Sequence, residues 1–194
     1  HQYVEKSKES CRMYRFSPLA IEGAWIFESP SHGDDRGYFR EWFKQSAVTE
    51  SLGRDFKVAQ SNLSRSKKGV VRGIHFSTAP EGQAKWITCA NGALLDVVVD
   101  LRPESPTFKH WEANELRAGD GSSIIISEGL GHAFVALEDD SVISYLLTTP
   151  YSPHHEHAIN PQDSELSIKW PSIPLLFSER DSKAPTLSEY FKSL

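Results

Sequence analysis

Cysteine is scarce: the 194 residues hold two, Cys11 and Cys89. Two thiols cannot build the disulfide framework of a small secreted domain. Neither lies in a CxxC or Cys/His cluster, so a structural zinc site is disfavoured as well. No run approaches the roughly 18 consecutive apolar residues of a membrane helix. The opening HQYVEKSKESCR lacks the apolar stretch of a signal peptide, and a soluble, cytoplasmic protein is expected. Positive charge is not in surplus either. The 21 Lys plus Arg face 26 Asp plus Glu, a formal charge of -5. General nucleic-acid binding therefore has little electrostatic support, while a local basic pocket for a phosphorylated small molecule remains open. No period of 20 to 50 residues repeats. What is present is apolar material for a core: 39% of the residues are hydrophobic, and a chain of this size buries roughly 70% of its unfolded surface as one domain. Residues 1–12 are polar and read as an extension or expression remnant; the domain is expected over 13–194.

From Ile26 onward, short runs rich in Val, Ile, Phe and Trp alternate with Gly, Pro, Ser and Asp. That spacing predicts an all-β sandwich or barrel. One helix is predicted over Gln45–Leu52, ending near Gly53, and a second after Thr186. The run LLDVVVDLR (Leu94–Arg102) alternates best. Leu95, Val97, Val99 and Leu101 point one way, and Asp96, Val98, Asp100 and Arg102 the other. On an average sandwich strand the polar face is solvated; the alternative is a polar face lining a cavity, because small barrels can hold one ligand inside.

VVRGIHFS (Val70–Ser77) sets His75 three residues after Arg72. Strict alternation sends the two side chains to opposite faces, so a shared site needs a bulge or kink at Gly73 to re-aim one of them. SEGLGHAFVAL places His132 at a turn into a strand. His154, His155 and His157 follow a proline and read as a solvated loop cluster. Neither His75 nor His132 has an HxH partner of the kind a strand-borne metal site uses.

Seven motifs, in order, carry a family resemblance: DDRGYFREWF (Asp34–Phe43), QSNLSRSKKGVVRGIHF (Gln60–Phe76), QAKWITCANG (Gln83–Gly92), LDVVVDLRPESPTF (Leu95–Phe108), EGLGHAFVAL (Glu128–Leu137), YLLTTPYSP (Tyr145–Pro153) and SERDSKAP (Ser178–Pro185). Over about Phe16 to Leu187 the chain resembles the dTDP-4-dehydrorhamnose 3,5-epimerases and their deoxysugar-pathway relatives. The resemblance implies a cupin-type β jelly roll with a few short helices. It also implies no metal or organic cofactor, a homodimer that exchanges N-terminal strands, and a dTDP-4-keto-6-deoxyhexose substrate. The protons at C3 and C5 of such a sugar flank the C4 carbonyl. Removing either gives an enolate, and returning it to the opposite face inverts the centre, which needs a base, an opposing acid and a stabiliser for the enolate oxygen.

By the same resemblance His75 is the base and Asp181 its orienting carboxylate. Lys85 lies near the C4 oxygen, and Tyr145 is the acid on the opposite face. Without the resemblance, Asp181 reads as a surface turn carboxylate, Lys85 as an exposed strand-end lysine and Tyr145 as a half-buried strand tyrosine. Arg72 is implied at the diphosphate with help from Arg36, a role suited to the guanidinium fork. Asp96 and His132 match polar pocket positions that support the lysine, substrate or water. Phe39 and Glu41 lie in the strand that dimers exchange, and Gln60 and Asn62 match positions near the nucleotide or diphosphate. The chain departs from the family pattern in three places. Pro150–Tyr151 stands where many members have an aromatic before YSP, Ser77 replaces a common glutamine, and GHAF replaces AHGF. Inversion of both centres is expected. The alternatives are inversion at C3 or C5 alone, isomerisation to a 3-keto sugar, a metal-dependent cupin and a non-catalytic sugar-nucleotide binder.

Overall fold

A computed structural model describes residues 14–194; the extension expected over 1–12 lies outside them. The fold is an antiparallel jelly-roll sandwich. One sheet runs β1 (Arg15–Pro18), β2 (Ala24–Glu28), β10 (Ser122–Ile126), β7 (Lys85–Asn91), β12 (Ser141–Leu147), β5 (Gln60–Ser66). The facing sheet runs β13 (Glu156–Ala158), β6 (Val70–Ser77), β11 (Leu130–Ala136), β8 (Ala93–Asp100), β9 (Trp111–Arg117), with β14 (Leu176–Phe177) added parallel to β6. A separate hairpin, β3 (Ser31–Asp34) and β4 (Gly37–Arg40), forms a two-stranded sheet of its own among the described residues.

The predicted helices are present. Helix α1 spans Gln45–Leu52 and ends on Gly53, whose φ of 66° is left-handed and costs glycine nothing. A single-turn α2 (Glu179–Ser182) is capped by Ser178. Helix α3 (Leu187–Lys192) opens with a capping box, in which Thr186 accepts from the Glu189 N–H and the Glu189 side chain returns to the Thr186 N–H. None of the described helices is long and apolar enough to cross a membrane.

Period-two alternation decides what each strand contributes. On β7, Ile87 and Cys89 point between the sheets and join Leu94, Val98, Phe134 and Ile143 in an apolar plug. Burial there pushes the Cys89 thiol up to about 11, so it is packing material rather than a nucleophile. Trp86 points the other way. It is fully buried, ringed by Phe27, Phe43, Phe56 and Phe16 at centroid distances of 4.8 to 6.0 Å, and donates through Nε1 to the Trp42 carbonyl at 2.7 Å. An indole locked this way fixes the register of β7, so the flanking Lys85 is held on the inner face.

Strand β8 overturns the expectation of a solvated polar face. Val97, Val99 and Leu101 pack under the C-terminal segment against Ile159, Leu166 and Leu187. Asp96 and Asp100, on the other face, are 0% exposed. Both faces are covered because residues beyond Ile159 fold back over the outside of the sheet. Asp100 is committed to structure: it accepts from Arg102 Nε at 2.9 Å, Ser105 Oγ at 2.5 Å and Thr107 Oγ1 at 2.6 Å.

Candidate active site

Beyond the apolar plug, the inner faces of the two sheets diverge around a cavity of about 290 Å³. From the first sheet it takes Asn62 and Ser64 of β5, Lys85 of β7, and Tyr145 and Leu147 of β12. From the second come Arg72 and His75 of β6, His132 and Phe134 of β11, and Glu156 of β13. Gln83 adds to its buried wall, and Tyr151 and Arg180 close its rim.

Arg72 and His75 share this cavity because β6 is bulged. His75 lies opposite His132 and Arg72 opposite Phe134 in the β6–β11 register, so one extra residue is accommodated on β6. Gly73 makes this possible. Its φ is 119°, and a Cβ there would fall 2.5 Å from the His132 carbonyl and 2.6 Å from the Ala133 Cβ. The kink expected at Gly73 is therefore present, and it turns both side chains to one side.

His75 Nε2 is 2.8 Å from Asp181 Oδ1. A carboxylate only accepts, so Nε2 carries the hydrogen and Nδ1 keeps the lone pair. Asp181 is itself held: Oδ2 accepts from the Gly73 N–H at 3.1 Å, and its own N–H donates to Ser178 Oγ at 3.0 Å. Burial works to raise the Asp181 pKa, but the bonds from His75, Gly73 and Ser178 outweigh it and hold the carboxyl below its usual range. The surface-turn reading of Asp181 is thus overturned, since its side chain is only 4% exposed.

Lys85 is not an exposed strand end either. It is buried, and among the described residues no hydrogen bond or ion pair engages its ammonium. Burial pushes its pKa below the ordinary lysine value, against the attraction of Glu156 and Asp96. Such a cation is short of counter-charge, which suits it to meet a developing oxyanion. Tyr145 lies on the wall opposite His75, half-buried against the apolar plug. His132 forms a second pair, Nε2 to Asp96 Oδ2 at 2.6 Å. Asp96 stands behind His132 with no surface in the cavity, and its Oδ1 has no hydrogen-bond partner. Of the expected supporting roles the structure shows the one toward the lysine, since Asp96 bonds His132 and attracts the Lys85 ammonium from behind the cavity wall.

The remaining expected residues divide. Gln60 sits at the rim, bonded from Nε2 to Asn62 Oδ1 at 2.8 Å and accepting the Tyr151 N–H at 2.8 Å. Arg36, Phe39 and Glu41 do not line this cavity. Arg36 is exposed and paired with Asp34, Phe39 is 66% exposed on the β3–β4 hairpin, and Glu41 accepts from Tyr14 and Lys44. Within one chain, the second guanidinium lining the cavity with Arg72 is Arg180, while Arg36 pairs with Asp34 on the exposed hairpin. Among the described residues neither Arg72 nor Arg180 is engaged by a carboxylate, and Arg72 donates to Ser66 Oγ at 3.1 Å. The histidine cluster stays apart from the site: His155 bonds Ser152, His157 bonds Thr78 and packs between Phe76 and Tyr190. Among the described residues no three His, Cys, Asp or Glu side chains converge as a metal set would.

Ser64, Gln83, Phe134, Leu147, Glu156 and Arg180 also line the cavity, beyond the residues expected there. Ser64 was within reach, because Gln60, Asn62 and Ser64 alternate along β5. Arg180 adjoins Asp181 in the SERD motif. Glu156, on a three-residue strand, left no periodic signal.

A jelly roll that faces a histidine–carboxylate pair with a tyrosine across a cavity, with a desolvated lysine in its wall, is an enzyme built for proton transfer next to a carbonyl. The chain belongs to the dTDP-4-dehydrorhamnose 3,5-epimerase family, whose pattern it matches over residues 18–189, and so to the isomerases. It is 49% identical over 172 residues to the dTDP-4-dehydrorhamnose 3,5-epimerase of Mycolicibacterium smegmatis, covering 88% of this chain and 85% of that one. It is 46% identical over 172 residues to the dTDP-4-dehydro-6-deoxyglucose 3-epimerase of Streptomyces bikiniensis, covering 88% of each. The crystal structure of the 4-keto-6-deoxy sugar epimerase from the novobiocin gene cluster of Streptomyces spheroides superposes with a TM-score of 0.90 at 44% identity. That match covers 93% of this chain and 90% of the other.

Proposed function

We propose that the protein inverts C3 and C5 of a dTDP-4-keto-6-deoxyhexose through enolates at C4. The observation that carries this reading is the placement of His75 and Tyr145 on opposite walls of one cavity that also holds Lys85. His75, held by Asp181, takes the proton next to the ketone through Nδ1. Lys85 offsets the negative charge that grows on the C4 oxygen, and Tyr145 returns a proton from the other face. A phenol with a reference pKa of about 10 is a competent acid at neutral pH. Repeating the cycle at the second flanking carbon inverts it as well.

The diphosphate is met by Arg72 and Arg180, which are free of carboxylate partners, and the base stacks on the half-exposed Tyr151 ring at the rim. Tyr151 thereby fills the place left by the missing aromatic at Pro150. The protein works as a homodimer in which the β3–β4 hairpin reaches the partner. Tyr38 and Phe39 expose 55% and 66% of their surface there, more than a free hairpin tip supports without cost. Arg36, Phe39 and Glu41 then complete the partner's site.

Inversion of one centre is the second reading, favoured by the 46% identity to a 3-epimerase. Incubation with dTDP-4-keto-6-deoxyglucose in deuterated water separates the two. Label at C3 and C5 is expected, label at one carbon assigns a single-centre enzyme, and no enzyme-dependent label refutes the activity. His75→Ala should bind dTDP and incorporate almost none.

A further inference from the structure

Gln83 precedes Lys85 by two residues on the same inner face and is 6% exposed. Its side-chain amide is oriented unambiguously. Nε2 donates to the Thr149 carbonyl at 3.2 Å and to Thr149 Oγ1 at 3.3 Å. A backbone carbonyl can only accept, so the NH₂ half must face Thr149 and the oxygen half cannot. Oε1 makes no hydrogen bond among the described residues, although it belongs to a buried residue in the cavity wall. Among the described residues the fully enclosed unpartnered atoms are Asp96 Oδ1 and Asn114 Nδ2, so Gln83 Oε1 retains accessible surface, on a residue that lines the cavity. An acceptor fixed in a desolvated wall beside an unpaired ammonium is a site for a donor from a ligand.

We infer that Gln83 is a specificity-determining residue that accepts a hydrogen bond from a ring hydroxyl of the bound sugar. This rests on the activity proposed above. In a 4-keto-6-deoxyhexose, C4 carries a ketone, C5 closes through the ring oxygen and C6 is a methyl group. The donors left on the ring are the hydroxyls at C2 and C3. The C3 hydroxyl sits on the carbon next to the ketone, the region Lys85 serves, and the C2 hydroxyl one carbon further, toward C1. Thr149 holds the amide so that it cannot rotate to offer NH₂ instead. The wall therefore favours a hydroxyl over an acceptor such as a second ketone.

The test is Gln83→Met, with Gln83→Leu as a second truncation, assayed on dTDP-4-keto-6-deoxyglucose and on its 2-deoxy analogue, with dTDP binding measured by calorimetry. The expected result is unchanged dTDP affinity and a roughly tenfold or greater fall in kcat/KM on the hydroxylated sugar. A fall confined to that sugar assigns the C2 hydroxyl; an equal fall on both assigns C3. Unchanged kcat/KM on both sugars overturns the inference. So does a loss of dTDP affinity that parallels the loss of turnover, because Gln83 would then only support the wall or the nucleotide. If the wild-type protein turns over neither sugar, the underlying activity fails first, an outcome distinct from an active wild type with indifferent variants.

Discussion

Asp181→Asn isolates what the carboxylate does for His75. The Asp181 Oδ2 bond from the Gly73 N–H at 3.1 Å fixes how an asparagine would sit. Its amide oxygen must face that N–H, because the NH₂ group would oppose donor to donor. The NH₂ then faces His75 Nε2, which must accept. The ring adopts the other tautomer, the proton moves to Nδ1, and the nitrogen that took the substrate proton no longer has a lone pair. The lost charge-assisted bond, 2.8 Å long, is worth about 1.5–3 kcal/mol. Removing a positioned base costs a further factor of roughly 10²–10⁴. Together these predict a fall in kcat of about 10³-fold or more. Shape and the Gly73 bond are kept, so dTDP affinity should change little, while thermal stability should fall by no more than the lost bond contributes. The assay is the initial rate of deuterium incorporation at C3, beside dTDP binding by calorimetry. A variant within tenfold of wild type would refute both the tautomer argument and the base role of His75.

Lys85→Met should lose about 10²–10³ in kcat yet melt no lower than wild type, since methionine fills the stem's volume without a desolvated charge. Because the Lys85 pKa lies below its unfolded value, the native state sheds that proton first as pH rises. Stability therefore increases between the two pKa values while activity declines over the same window, and thermal melts and rate profiles of Lys85→Met should show neither trend. Gly73→Ala should cost more than about 3 kcal/mol in denaturant unfolding and abolish turnover, because the added methyl meets the His132 carbonyl and the left-handed backbone resists any side chain. Asp100→Ala should cost about 3 kcal/mol by the same assay, as it leaves Arg102, Ser105 and Thr107 without their acceptor. Hydrogen bonds from those three groups overcome the effect of burial and hold the Asp100 pKa at about 2. Its stabilisation is thus complete above the ordinary carboxylate pKa and is lost as pH falls toward about 2. Co-refolding His75→Ala with Arg36→Ala should restore about a quarter of wild-type activity. Half the dimers are mixed, and each holds one intact site if the hairpin crosses over; no recovery would place Arg36 in its own chain's chemistry or outside it.

Some of this architecture is local and some is not, and that difference decides what the chain's letters disclose. Caps are local. Gly53 and the Thr186–Glu189 box are satisfied within one helical turn, so both helices could be placed from their own residues. Strand alternation is local too, but what covers each face is not. LLDVVVDLR presents two faces, and only the return of residues beyond Ile159 over the outer one removes it from water. The Gly73 bulge is intermediate: glycine permits it, but the extra residue exists only relative to β11, 60 residues away in the register His75–His132 and Arg72–Phe134. Asp181 shows the same dependence most fully. In sequence it is a carboxylate in a polar turn, indistinguishable from Glu179 beside it. It becomes a buried partner because β14 pairs with β6 and sets α2 against the bulge. One glycine thus shapes both halves of the base: its missing Cβ lets β6 turn His75 inward, and its N–H holds the carboxylate that orients the imidazole.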